Sequence, residues 1–311
     1  MNIIDMPYDF TSYEFFRKVL VDAKYNCDSK LIFDFSNTRR VEPLVIPNLL
    51  CLAYEIKQET GTIPQILIPD TYEGGVLRNY LNEIEFTKYA LGAELYNFPY
   101  NPYGGLSGKK IDPLCGTLVF DAVSTRDEIY RGIDMCITPF AERYLEKFNS
   151  YNDNNMYINE IVEFLEEIIV NSKVHGKSFS ITTLHANYSA KKIYIAISDV
   201  GGGFYSTLQN EAIDNDEKAI LAGIYKRKDS KVYGLYNVIR RVLEFEGRIR
   251  IHSNDTQIIF TPRVKTEFLN ERLNKVNNFR KYNVKGTVQY DGVHIEMELP
   301  LERGWRDENF R

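Results

Sequence analysis

The run Ile193-Tyr194-Ile195-Ala196-Ile197-Ser198-Asp199-Val200-Gly201-Gly202-Gly203-Phe204 starts as an apolar strand and stops on one acid and three glycines. A strand that ends this way delivers a carboxylate to a place where backbone without side chains can approach a ligand closely. Working outward, Ser178–Leu184 and Lys192–Ser198 read as the two arms of a hairpin. Upstream, an apolar-periodic helix spans about Tyr157 to Val174. Ahead of it, Ser124 and Thr125 stand where they can cap another helix whose first turn carries Asp127 and Glu128. Thr117–Ala122 reads as a strand. Downstream come a polar segment to Lys231, a helix over Leu235–Phe245, and strands at Arg248–His252, Gln257–Thr261 and Val293–Leu299. Helices followed by a run of strands predict an α/β sandwich, one helical layer on a mixed or antiparallel sheet.

The N-terminal half has a different rhythm: strand Leu31–Phe35, helix Ile46–Glu59, strand Gln65–Ile68, then a helix from about Gly75 to Leu81. This is a second α/β pattern. Between the halves, Asn97–Pro113 concentrates Pro99, Pro102, Gly104, Gly105, Gly108 and Pro113, which disfavours helix and central strand alike. The expected division is therefore a unit over 1–105 and another over 114–303.

Composition narrows the function classes. A formal net charge of -5 over 311 residues provides no basic field for nucleic acid or an anionic membrane surface. Met1–Phe10 carries acids where a signal peptide needs bases, and no apolar run reaches bilayer-spanning length, so a cytoplasmic protein is expected. Four scattered cysteines lack C-x-x-C spacing and read as reduced, mostly buried thiols. His185, His252 and His294 show no metal-cluster spacing with them.

The chemistry-bearing residues fall at three places. Glu167, Asn171 and His175 are spaced i, i+4, i+8 and share one helix stripe, with Ile161, Leu165, Ile168 and Ser172 assigned to a different face. A glutamate beside an asparagine suits a site where one polarises a nucleophile and the other gives a hard oxygen to Mg²⁺ held by phosphates; a solvated helix face has the same pattern. Asp199, at the strand end before Gly201 and Gly203, can accept from an exocyclic amine such as that of adenine, or simply terminate a tight turn. Gly234-Leu235 opens an apolar-periodic helix whose N-terminal amides and dipole suit a phosphate. His175 is given a supporting role only.

In order, Glu167-x-x-x-Asn171-x-x-x-His175-Gly176, Asp199-x-Gly201-x-Gly203, Gly234-Leu235, and Gly286-Thr287 with Leu299-Pro300-Leu301 resemble the GHKL (Bergerat-fold) ATPase superfamily over roughly Ser124–Leu301. The resemblance implies ATP and Mg²⁺ as ligands. It implies Glu167 as general base, Asn171 as the Mg²⁺ residue, Asp199 as the adenine reader and Thr287 as support for the adenine-bound water network. The phrase Glu167–Gly176 looks most like the anti-sigma-factor kinase branch. One departure stands out: Lys231-Val232-Tyr233 precede Gly234 where the family has glycines. Side chains there are expected to disturb the wrapping of phosphates and slow turnover. Lys226, Arg227, Lys228 and Lys231 could compensate by pairing with phosphate oxygens, and the same run equally fits a solvated basic loop.

Leu31–Ser36 followed by the Ile46–Glu59 helix resembles a STAS domain, the anti-sigma-factor-antagonist fold. Regulatory members carry a phosphorylatable Ser or Thr at the start of that helix. Here the chain offers Val41-Glu42-Pro43-Leu44-Val45, so docking rather than phosphoacceptance is expected. The leading expectation is a regulatory protein whose ATP state controls engagement of a protein partner, STAS-related or sigma-factor-related, with slow hydrolysis. The competing expectation is a serine/threonine kinase of the anti-sigma type acting on a separate STAS protein. A sensor histidine kinase fits poorly, since no histidine precedes His175. A gyrase-like or chaperone ATPase fits poorly because only ten residues follow Leu301. A homodimer stays open.

Overall fold

The computed structural model describes residues 1–27, 29–103, 114–120, 124–148, 152–173, 178–208, 212–225, 234–270, 279–281 and 289–302. The N-terminal half opens with β1 (Asn2–Asp5) and β2 (Asp9–Phe10). A short helix α1 (Ser12–Glu14) follows, then a π-helical turn (Phe15–Val19) and α2 (Leu20–Tyr25). Next come β3 (Leu31–Asp34), β4 (Arg40–Val41), α3 (Val45–Thr60), β5 (Gln65–Leu67), α4 (Tyr72–Glu83) and α5 (Phe86–Gly92). Strands β1, β3 and β5 form a parallel sheet in that order, and β2 pairs with β4 in a second parallel ladder. Parallel neighbours need crossovers, which the α1–α2 segment and α3 provide.

The C-terminal half begins with β6 (Leu114–Phe120), α6 (Arg126–Phe148) and α7 (Asn152–Asn171). They are followed by β7 (Ser180–Asn187), β8 (Lys192–Asp199), α8 (Gly203–Leu208), α9 (Asp216–Tyr225) and α10 (Leu235–Glu244). It ends with β9 (Arg248–Asn254), β10 (Thr256–Phe260), α11 (Lys265–Leu269), β11 (Phe279–Lys281) and β12 (Tyr290–Pro300). The seven strands make one sheet in the order β11-β10-β9-β12-β8-β7-β6, antiparallel at every pairing. The chain is thus a mixed α/β protein with both parallel and antiparallel sheets.

The period-2 alternation of β8 sorts its side chains between two cores. Ile193, Ile195 and Ile197 join Ile161, Leu165 and Ile168 of α7 and Val238, Ile239 and Val242 of α10. Tyr194 and Ala196 face the other way, onto Leu44 ahead of α3. Each fully buried aliphatic side chain of this kind contributes roughly 1.5–3 kcal/mol. Asp199 has the parity of the isoleucines, so the strand carries its carboxylate to the α7 side.

Helix α3 lies between the parallel sheet and the large sheet. From Val45 to Ala53 every residue is buried, which is why the segment is apolar almost all round. On one side the Tyr96 hydroxyl donates to Leu49 O (2.7 Å); on the other Tyr54 stacks on Phe179 at 4.4 Å. Phe179, Ile181 and Tyr290 of the C-terminal half lie in the same core as Phe33, Leu49 and Leu50 of the N-terminal half.

Local signals account for several element boundaries. Thr125 and Glu128 form a reciprocal cap on α6: Thr125 N–H donates to Glu128 Oε2 (2.7 Å) and Glu128 N–H to Thr125 Oγ1 (3.3 Å). The segment read only as polar up to Lys231 contains α8 and α9. The stretch before Leu31, for which the sequence predicts no element, contains two strands and 14 residues of helix over Ser12–Tyr25. In α9 the interior Gly223 lowers helix propensity, yet a Cβ there would lie 2.7 Å from the Phe204 ring. The glycine lets α8 pack tightly against α9.

Candidate functional site

A cavity of about 250 Å³ opens between the C-terminal end of α7, the ends of β8 and β12, α8, α9 and the start of α10. Its size is near the lower end of ligand pockets, which run from about 300 Å³ upward. Ile197, Phe204, Leu208, Leu235 and Ile295 supply an apolar wall, and Asn171, Ser172, Asp199 and Thr207 supply the polar side chains.

Asp199 is its chemical centre. The carboxylate is 2% exposed. Gly201 N–H (2.9 Å) and Val293 N–H (3.3 Å) both donate to Oδ1. Among the described residues no donor is bonded to Oδ2. Burial pushes the carboxyl up to about 6. The two backbone donors and the Lys173 ammonium oppose that shift. Lys173 is itself buried at the end of α7 and donates to Ser178 O (2.6 Å).

The glycines have separate duties. Gly201 contributes its N–H to Asp199. Gly203 has φ +72°, and a Cβ on it would sit 2.5 Å from Ser253 Oγ; the same hydroxyl accepts from Phe204 N–H at 3.1 Å. That bond ties the start of α8 to β9.

On α7, Asn171 Nδ2 donates to Glu167 Oε1 (2.6 Å). The contact orients the amide and leaves its Oδ1 unused by that bond. Asn171 lines the cavity; Glu167, one turn back and partly exposed, does not. Ile168 and Ser172, assigned above to a different face, also line it, because the i, i+3, i+4 spacing of Ile168, Asn171 and Ser172 puts all three on one side of the helix. At the opposite wall Gly234 caps α10 with no side-chain hydrogen bond to the first-turn amides, and its carbonyl accepts from Asn237 and Val238 N–H. Gly234 and Leu235 both line the cavity.

Of the residues singled out from the sequence, Asn171, Asp199, Gly203, Gly234 and Leu235 share this cavity. Gly201 supports it through Asp199, and Glu167 supports it through Asn171. Lys231, Thr287, His175 and Gly286 lie outside the described residues, as do Lys226, Arg227 and Lys228.

No family model, curated protein or solved structure matches the chain. The site therefore stands on its own geometry. No helix among the described residues is long and apolar enough to cross a membrane.

Sequence reading missed Gly292 and Val293. Gly292 has φ +98°, and a Cβ on it would lie 1.8 Å from the Asp199 carbonyl oxygen. Only a glycine allows β12 to bulge there, between Tyr290 and Val293, and bring Val293 N–H to Asp199. The available signal was Asp291-Gly292, a turn dipeptide ahead of an apolar alternation. The other three histidines lie away from the cavity-lining set. His185 faces Tyr80 and is lowered to about 4 by burial, and by strand register it shares with His252 and His294 the sheet face opposite the cavity.

Proposed function

We propose that this cavity binds the base of an adenine nucleotide and that the protein is an ATP- and Mg²⁺-binding regulator of the GHKL type. The observation that carries the reading is the state of Asp199: a buried carboxylate at the end of an apolar cavity, one oxygen saturated by two backbone donors and the other without a donor among the described residues. An exocyclic amine satisfies that oxygen, while a guanine carbonyl in the same place would face another acceptor. Leaving a buried acceptor unmatched costs roughly 1–3 kcal/mol, enough to set a preference of about one to two orders of magnitude.

The rest of the ligand follows from the walls. The Leu235 and Tyr236 amides at the start of α10 have no side-chain cap and suit a phosphate oxygen. Asn171 Oδ1 suits a hard cation such as Mg²⁺, which phosphates would hold beside α7. The nearby Glu167 carboxylate is the base for slow attack by water on the terminal phosphate. Thr287 keeps the role the family resemblance gives it, support of the adenine-bound water network, and Lys231 pairs with phosphate oxygens by its charge. The parallel β1-β3-β5 sheet with α3 supports reading the N-terminal half as STAS-like. The nucleotide state then controls engagement of a protein partner.

Calorimetric titration of the full chain with ATP and Mg²⁺ tests the proposal. Saturable binding near one equivalent, competed by ADP, is the expected result. Absence of any binding at millimolar nucleotide would overturn it.

A further inference from the structure

Every residue that lines the cavity belongs to the C-terminal half, and the N-terminal half backs one of its walls. The β12 bulge that carries Val293 N–H to Asp199 is held from behind by α3. Asp291 N–H donates to Glu55 Oε1 (2.9 Å), and the Tyr290 hydroxyl donates to Asn48 O (2.9 Å). Glu55 is 5% exposed, and its second oxygen lies 2.9 Å from Lys24 Nζ. Lys24 also reaches Glu59 at 2.8 Å. Ser198, the residue before Asp199, donates from Oγ to Asn48 Oδ1 (3.3 Å), which puts α3 directly behind the end of β8. His294 closes the bulge from within, its Nε2 2.9 Å from Asp291 O.

Resting on the adenine-nucleotide reading above, we infer that Glu55 of the N-terminal half is a positioning residue for base recognition: it fixes the Asp291–Val293 bulge and thereby the orientation of the Asp199 carboxylate. The route is short and continuous. Glu55 holds Asp291; Gly292 packs on the Asp199 carbonyl; Val293 N–H occupies Oδ1, so Oδ2 is the oxygen presented to the base. Without the Glu55 acceptor the Asp291 N–H loses its buried partner and the bulge is free to shift. Val293 then leaves Oδ1, and the carboxylate can rotate. Phosphate contacts at α10 are untouched by this change, so the loss falls on base discrimination. The N-terminal half accordingly acts on base recognition through the bulge, without lining the cavity.

The test compares Glu55→Gln, which keeps an acceptor for Asp291 N–H, with Glu55→Met, which matches the side chain's length and removes the acceptor. The dissociation constants of wild type and both variants for ATP and for GTP are measured with Mg²⁺ in the full chain. Glu55→Met is expected to weaken ATP roughly two- to tenfold, the scale of one lost hydrogen bond, with GTP little changed. Glu55→Gln is expected to keep the wild-type ATP-to-GTP ratio. A folded Glu55→Met protein with the wild-type ratio, or with equal losses for both nucleotides, removes the role of Glu55 and leaves the nucleotide reading standing. Wild type that binds neither nucleotide removes both. If Glu55→Met does not fold, amide exchange in wild type decides: ATP should slow exchange at Asp291 and Val293 more than GTP does, and equal protection overturns the inference.

Discussion

Gly292→Ala should damage the protein at one identifiable point. The substituent would arrive 1.8 Å from the Asp199 carbonyl oxygen and 3.0 Å from Asp199 Oδ1, contacts that no rotamer change relieves because the first is to backbone. Gly292 also has φ +98°, where an L-residue is strained by roughly 1–3 kcal/mol. Overpacking a site of this kind typically costs a further ~1–3 kcal/mol. The expected destabilisation is therefore about 2–6 kcal/mol, a large share of the ~5–15 kcal/mol stability of an ordinary domain. Relief requires β12 and the end of β8 to separate, which breaks the Val293–Asp199 bond. Urea unfolding followed by circular dichroism measures the loss, and ATP titration of the folded fraction measures the effect on the site. A Gly292→Ala protein within about 0.5 kcal/mol of wild type would refute the close approach of the two strands.

Three further outcomes follow from the same geometry. Asn171→Ala should weaken ATP binding roughly tenfold in Mg²⁺ and little in EDTA, because the amide oxygen serves the cation rather than the base; equal losses in both buffers would contradict that role. Wild-type turnover should be at or below the low end of the ~1–10³ s⁻¹ range of enzymes, and Glu167→Ala should abolish it with ATP affinity nearly unchanged, as read by phosphate release. Burial lowers His185 to about 4, below its ordinary 6.5, so its neutral form contributes stability that is present above pH 6.5 and lost as pH falls toward 4. The urea midpoints of wild type and His185→Gln should converge over that window; a constant gap between pH 7 and 4.5 would contradict it.

Strong local patterns were legible from the residues. The apolar run Ile193 to Ile197 marked β8 and its end at Asp199, and Thr125 with Glu128 announced the start of α6. The segments that escaped have weak local signals. Strand β1 is four residues long and exists through parallel pairing with a strand 29 residues away in register, Asn2 with Leu31. Helix α9 contains a glycine whose purpose is visible only when Phe204 is beside it. Helix α3 was legible as a helix; its burial between two sheets was not, since apolar residues on every side do not say what covers them.

The site divides along the same line. Asp199, Gly203, Asn171 and Gly234, singled out from the sequence, line one cavity because each sits at the end of a periodic element. Gly292, Val293 and Glu55 were not found, because they act through a bulge whose register depends on β8, β9 and α3 together. The separation between Glu167 and the cavity lining was equally hidden: stripe spacing gives angular position on a helix but not depth.

Calorimetry of wild type and Asp199→Asn with ATP and with GTP in Mg²⁺ tests the central claim most directly. Wild type should prefer ATP by at least tenfold, and Asp199→Asn should lose roughly 1.5–3 kcal/mol of ATP affinity, the worth of a hydrogen bond to a charged group. Wild type that binds ATP and GTP equally, or Asp199→Asn that keeps full ATP affinity, would contradict the assignment of this cavity to an adenine base.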